Sequence, residues 1–351
     1  MLQLEMLPAR EGDCLILTYG DPNTPRRVLI DGGRTATYNT DLKTTLGQIP
    51  EAQRTFELVV VTHIDRDHIE GILAMLKDTS RPIQFRDLWF NGYDHLFGRT
   101  ESFGPYQGEL LTTEIRNQQL PWNLAYEGGS IETRAEANPI ELDGGLRLTI
   151  LSPTREKLEA LIPKWEKECT EAGLMPNSQA ERSDPPDGVE SFGPFKMERA
   201  AEDPFEKDPS TPNGSSIALL AEYEGKRILL AGDAHADLIT ESLRPLAQAA
   251  GGRLPLDAFK VSHHGSARNT SRELLELVSC DKYLISTNGA HHGHPDKSAL
   301  ARIVQFGGNE KEFIFNYETT ETIFWKAWQD AYKYHTRYPA PEASGFMKLT
   351  F

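Results

Sequence analysis

Cysteine is scarce in this chain of 351 residues: Cys14, Cys169 and Cys280 are the only three, and no two form a CxxC pair. That excludes a thiolate zinc cluster and a disulfide framework, and it fits a reducing compartment. Long apolar runs are also lacking, so no segment reads as a membrane span. The opening stretch MLQLEMLPAREGD has neither the basic region nor the apolar core of a secretory signal, and the expected location is the cytoplasm. Positive charge is in deficit, with 37 Lys and Arg against 52 Asp and Glu and a net charge of −15. Such a surface does not hold polyanions loosely over its whole extent. A nucleic acid stays open as a partner only through a local basic groove.

What is present is ordinary for a folded chain: 38% apolar and 25% charged residues, enough for a sizeable core. The first sixty residues read as strands, with Leu2–Met6 alternating, Cys14–Tyr19 apolar, and Arg27–Asp31 running into the turn Asp31-Gly32-Gly33. A short helix over Asp41–Ile49 precedes the buried strand Leu58–Val61. The helix after it contains Gly71, a residue that weakens a helix and points to close packing there. Phe85–Phe90 and Leu146–Leu151 read as strands and Arg155–Ala172 as an exposed helix.

In the second half, Ile217–Tyr223 and Arg227–Ala231 form a hairpin. Helices over Ala236–Ala249, Ser271–Val278 and Lys297–Phe306 alternate with strands at Ala258–Ser262 and Tyr283–Ser286. Phe313–Phe315, Glu321–Trp325 and Phe346–Phe351 close the list of expected strands, and Trp325, Trp328, Tyr332 and Tyr334 read as a packing cluster. This order predicts an α/β (α+β) αββα sandwich, two facing mixed sheets with helices outside. It is expected as a single domain over 1–351, with insertions at about 91–140 and 152–212. Within the second, 175–212 is dense in Pro, Gly, Ser and acid, and reads as loop or partly disordered chain.

The chemistry concentrates at strand ends. Thr62-His63-Ile64-Asp65-Arg66-Asp67-His68 offers four metal ligands on one loop between strand and helix. A helix-capping loop accounts for one Asp, not for two Asp and two His. Asp233 follows the strand Leu229–Ala231 and Gly232. His263-His264-Gly265-Ser266 follows a third strand, and His291-His292-Gly293-His294 a fourth. Most of the ten histidines therefore sit in three strand-end loops, as a shared centre would require.

This ordered set, His-x-Asp-x-Asp-His, Gly-Asp, HHGS and Asn…His-Pro, resembles the metallo-β-lactamase superfamily. Its motifs run in the expected order from Asp13 to about Asp296. The nearest branch in motif is the nuclease domain of ComEC-type DNA-uptake proteins, with phosphorylcholine esterases and tRNase Z more distant. The resemblance implies a two-metal hydrolase. His63 and Asp65 would hold one ion, Asp67 and His68 the other, and Asp233 would bridge them. His294 and one or both of His263 and His264 would complete the second ion or contact substrate. The tRNase Z arrangement favours His294 as ligand and His263 as proton donor, and the doubled histidine leaves that assignment open. Candidate catalytic residues are thus Asp67, His263 and His264.

Two departures matter. Asp65 stands where a histidine is usual, and Asn213-Gly214-Ser215-Ser216 occupies a segment where relatives carry a histidine ligand. Harder oxygen ligation brings Mn, and also Mg, in beside Zn as the two divalent ions. Asn213, Ser216 and Ser266 are candidate substrate contacts, though plain turn roles suit the first two equally. His95 reads as an exposed histidine, Arg268 and Lys260 as solvated charges, and Asp31 as a turn residue at the rim. The expected reaction is phosphodiester cleavage, as in a phosphodiesterase or nuclease, by water activated between two metals. The rivals are hydrolysis of a small ester, lactone or phosphorylcholine-type substrate, and a non-catalytic metal-binding partner protein. His263 and His264, adjacent at a strand end, are expected to point in different directions.

Overall fold

Alternating apolar residues build two sheets whose inner faces meet. The computed structural model describes residues 1–97, 106–134, 139–171, 195–343 and 345–351. The first sheet contains β1 (Leu2–Met6), β2 (Leu15–Tyr19), β3 (Arg26–Ile30), β4 (Leu58–Val60), β5 (Leu88–Trp89) and β14 (Met347–Thr350). Its order is β14-β1-β2-β3-β4-β5, antiparallel up to β3 and parallel beyond.

The second sheet contains β6 (Ile140–Leu142), β7 (Leu146–Ser152), β8 (Ala218–Tyr223), β9 (Lys226–Leu230), β10 (Ala258–Lys260), β11 (Lys282–Ile285), β12 (Lys311–Phe315) and β13 (Tyr334–Arg337). Its order is β13-β12-β11-β10-β9-β8-β7-β6, parallel from β13 to β9 and antiparallel from β9 to β6.

Three buried clusters correspond to the three interfaces of a four-layer sandwich. Leu4, Leu17, Val28 and Val60 of the first sheet share a core with Leu148, Leu219, Ile228 and Leu284 of the second. Outside the first sheet, Ile69, Ile72 and Leu76 of α1 (Arg66–Lys77) pack on Ile16, Leu29 and Val59, joined by Leu111 and Ile115 of α2 (Tyr106–Asn117) and Trp165 of α3 (Arg155–Glu171). Outside the second sheet, α4 (Ala236–Ala249) and α5 (Lys297–Phe306) cover Leu229, Phe259 and Ile285. The expected αββα fold is the one observed. Among the described residues no helix is long and apolar enough to cross a membrane.

Several local readings differ. Glu321–Trp325, expected as a strand, lies in the helix Thr320–Lys326. Its β-prone side chains are overridden by a capping box between Thr319 and Thr322 and by the buried Trp325. The expected strand Phe85–Phe90 splits into Gln84–Phe85 and Leu88–Trp89. Between them Asp87 turns its carboxylate onto the Leu88 and Leu124 amides and the Trp89 indole. Tyr334–Arg337, read only as part of an aromatic cluster, is also a strand.

Helices Tyr93–Phe97 and Tyr106–Asn117 occupy the first insertion. Of the stretch expected to be loop, 175–194 lies outside the described residues. Beyond it, Met197–Ala201 is a helix with Met197 in the core, and Thr211–Gly214 is a helical turn capped by Ser210. Parallel strands β3, β4, β9, β10 and β11 end toward a common edge, and every motif loop leaves from one of those ends.

Candidate metal centre

The loop after β3 is pressed onto the start of α1. Gly71 donates its amide to the Gly33 carbonyl at 2.8 Å, and Gly32 donates to the His68 carbonyl at 2.9 Å. A Cβ on Gly71 would lie 1.9 Å from the Gly32 oxygen, which is why only glycine serves there. The contact drives Asp31, at φ +57, under the histidine loop.

Asp31 is fully buried and is not a rim turn residue, because its two oxygens have work in the interior. Oδ1 accepts from the Thr62 amide at 2.8 Å. Oδ2 accepts from the Thr62 hydroxyl and from His68 Nδ1, each at 2.8 Å. With its hydrogen given to Asp31, the Thr62 oxygen can only accept from His63 Nδ1, 2.9 Å away. One carboxylate thus sets the tautomer of two imidazoles and leaves both Nε2 atoms bare. His264 is held in the same way by Nδ1 donating to the Ser286 carbonyl at 2.7 Å, and His294 Nδ1 lies 3.4 Å from Asp296.

The Nε2 atoms of His63, His68, His264 and His294, and Oδ1 of Asp233, are buried with no hydrogen-bond partner. Buried polar atoms are rarely left so. Imidazoles anchored through Nδ1, with a free Nε2, are the usual arrangement of metal-binding histidines. Asp233 is the hub: its Oδ2 lies 3.3 Å from His68 Nε2, 3.6 Å from His264 Nε2, 3.8 Å from His63 Nε2 and 3.9 Å from His263 Nε2. Asp67 Oδ2 is 3.7 Å from His68 and 3.6 Å from His264, and Asp65 Oδ2 is 3.5 Å from His63. His63, His68 and Asp233 form one three-donor set, and Asp67, His68 and His264 another, each within 4.8 Å. A divalent cation is what this donor set fits.

The electrostatics agree. Burial disfavours the charged form of His68 and His264, yet the Asp233 and Asp67 carboxylates together outweigh it, raising His68 well above its usual value and His264 to about 9. Burial likewise pushes Asp67 and Asp233 up, and the charges of His68 and His264 pull both below the usual carboxylate range. Protons and cations therefore compete for the same cradle.

The doubled histidine does not diverge as an extended strand would make it. His263 and His264 both have left-handed backbones, φ +47 and φ +55, inside the turn Ser262–Gly265. This turn swings both Nε2 atoms to within 4 Å of Asp233, at 3.9 and 3.6 Å. His264 joins the tight donor set, whereas His263 stands at the open edge with its side chain 20% exposed. His294 is not among those three-donor sets; its ring lies 5.3 Å from that of His263.

The other candidates are placed as follows. Ser216 Oγ accepts from the Asp233 amide at 3.1 Å, Asn213 Nδ2 donates to Asp208 at 2.7 Å, and Ser266 Oγ faces the Arg268 amide at 3.3 Å. His95 is buried, not exposed: its Nδ1 accepts from Gly92 and its ring meets Trp122 edge-on. Lys260 is not solvated either, since its ammonium is sealed against Asp13 with the side chain fully buried. Arg268 lies 3.5 Å from Glu206. Sequence reasoning placed Asp31 only as a rim turn, gave no role to Thr62 and Asp13, and missed Asp208 and Asn269 as parts of the surroundings. Only Asp31, at a strand end before two glycines, left a signal.

Residues 151–289 match the family model described as the metallo-beta-lactamase superfamily. That stretch includes Asp233, His263 and His264, and the two-sheet sandwich is consistent with the fold of that superfamily. The loop carrying His63 to His68 and the segment carrying His294 lie outside the matched residues. No curated protein matches the chain in sequence. Among solved structures the chain is similar to a mutant of CmlA β-hydroxylase, with 11% identity and a TM-score of 0.42, covering 100% of this chain and 54% of that one. The chain thus spans about half the length of that protein.

Proposed function

We propose that the chain is a metal-dependent hydrolase of phosphodiesters, working at the centre formed by His63, Asp65, Asp67, His68, Asp233 and His264. The observation that supports this reading is the set of bare, buried Nε2 atoms aimed at Asp233, each with its Nδ1 already anchored. His63, Asp65 and Asp233 would hold one divalent ion, and Asp67, His68, His264 and Asp233 a second. Bound there, two such ions would act as Lewis acids and lower the pKa of a water. Three carboxylates among the donors suit Mn or Mg as well as Zn.

The chain's own residues divide the remaining work. Asp67, less enclosed than Asp233, orients the attacking water and takes its proton. His263, on the open side, meets the substrate; protonated on both ring nitrogens, it gives its Nε2 hydrogen to the leaving oxygen and is left neutral with a bare Nε2. Ser216 holds the backbone of Asp233 and so fixes the hub.

One observation favours a second reading, hydrolysis of a small ester, lactone or phosphorylcholine-type molecule: the net charge of −15 offers no attraction to a polyanion. Metal analysis of the purified protein, with assays on bis-p-nitrophenyl phosphate, on single- and double-stranded DNA and on small esters, separates the readings. Turnover of a diester supports the proposal, and turnover of esters alone supports the second. A protein that binds metal and cleaves none of these sinks both and returns the non-catalytic partner.

A further inference from the structure

The proline-rich, acidic insertion delivers one carboxylate to the edge of the centre. Asp208 is buried, and its oxygens are fully engaged: Oδ1 accepts from the Ser210 amide at 2.8 Å, and Oδ2 from Asn213 Nδ2 at 2.7 Å and Asn269 Nδ2 at 3.0 Å. The same Asn269 nitrogen lies 3.2 Å from the Asp233 carbonyl and 3.3 Å from the Ala234 carbonyl. Three acceptors around one atom settle which end of the amide is nitrogen, because an oxygen there would face three oxygens.

Asn269 Oδ1 is therefore the atom 3.0 Å from His263 Nδ1, and an amide oxygen obliges Nδ1 to carry the hydrogen. Asn213 Nδ2 also approaches His263 Nδ1, at 3.4 Å, but its short bond is the one to Asp208. In a neutral His263 ring the lone pair then sits on Nε2, the end that faces Asp233 at 3.9 Å. The left-handed backbone at φ +47 needs such support, since a residue with a Cβ adopts that conformation only at a cost.

We propose that Asp208 is a positioning residue: by clamping the Asn269 and Asn213 carboxamides it locks His263 with its hydrogen on Nδ1 and a bare Nε2 turned to the metal centre. Part of the insertion is thereby a working wall of the site. Only the kinetic consequence rests on the hydrolase reading above; the state of the ring does not.

The test uses zinc-loaded full-length protein labelled with 15N-histidine, and two-bond 15N–1H spectra assigned with His263→Ala. In the unsubstituted protein His263 should be protonated at Nδ1. Asp208→Ala should bring in the Nε2-protonated form while zinc content stays the same. Turnover of an alkyl phosphodiester should fall by about tenfold, the lower end of the range for partners that orient site residues. Asp208→Asn, whose amide oxygen can stand in the place of Oδ2 and keep both carboxamides while only the Ser210 amide loses its acceptor, should restore the ring state. Should Asp208→Ala fail to fold, Asn269→Ala puts the same question from the other side of the amide. An Nε2-protonated ring in the unsubstituted protein, or a ring unmoved by both Asp208→Ala and Asn269→Ala, overturns the proposal. A ring that shifts in a protein that cleaves no diester leaves the positioning role standing and removes the diesterase reading.

Discussion

Asp31 and His68 share a 2.8 Å hydrogen bond from which solvent is wholly excluded, and the same carboxylate reaches His63 through the Thr62 hydroxyl. Two imidazoles from one loop thus depend on a single residue that follows another strand. Asp31→Asn keeps the shape but puts an amide where two donors point, so one donor must lose its acceptor. Metal affinity should fall by about 10- to 100-fold with the fold retained. Titration calorimetry with Mn and Zn reads the loss, and an unchanged affinity for both ions would show that the histidines need no such anchor.

Lys260 and Asp13 form an ion pair with both side chains sealed from water. Removing one partner strands the other: Lys260→Met should cost about 3–5 kcal/mol in a denaturant melt. Replacing both, as Asp13→Leu with Lys260→Met, should recover most of that, because two apolar side chains leave no charge to desolvate. A single substitution that costs less than about 1 kcal/mol would mean the buried charge finds another partner.

Much of this architecture can be read from residue patterns, for a physical reason. Alternation in Leu2–Met6 and the apolar run Leu58–Val60 report which faces are buried, and burial dictates the two sheets. The convergence of His63, Asp67, His68 and Asp233 was legible because such side chains rarely meet at strand ends by chance. Orientation was not. Left-handed His263 and His264 follow no periodicity, so the reading of divergent rings had nothing to correct it. Asp208 sat in a stretch whose composition matches loop, and only its partners Asn213 and Asn269, five and sixty-one residues away in sequence, reveal its place. Gly71 lies between these cases: its cost to a helix signalled a close approach, but not that Gly32 was the neighbour.

His95 should make folding sensitive to acid. Burial, with a smaller push from Arg155, lowers its pKa to about 4, and its Nδ1 accepts from the Gly92 amide, which requires a neutral ring. The unfolded chain protonates this histidine near its ordinary value of about 6.5. Stability from this residue is therefore intact above that pH, falls as pH drops from about 6.5 through 4, and levels off below. The loss amounts to as much as about 3 kcal/mol. Carboxylates titrate in the same window, so the quantity to measure is the difference between the unsubstituted protein and His95→Gln. Parallel pH profiles for the two would mean that the folded chain accommodates a charged His95.

Asp65 stands where the motif this loop resembles usually carries a histidine. Its carboxylate lies 3.5 Å from His63 Nε2 and its side chain is 38% exposed, so it can swing toward an ion without disturbing the core. With Asp65 in place and no histidine in the Asn213–Ser216 segment, the proposed first position would have one imidazole and two carboxylates as donors. Oxygen donors narrow the advantage that nitrogen donors give Zn over Mn. Asp65→His adds an imidazole at the same backbone position, and the ratio of Zn to Mn affinity should rise by about tenfold or more. The partly exposed side chain leaves the core untouched by the substitution, and a melt checks the fold. Competition calorimetry of the two proteins gives the ratio directly. If Asp65→His leaves it unchanged, Asp65 is not a ligand, and the first position is completed from the His263 side instead.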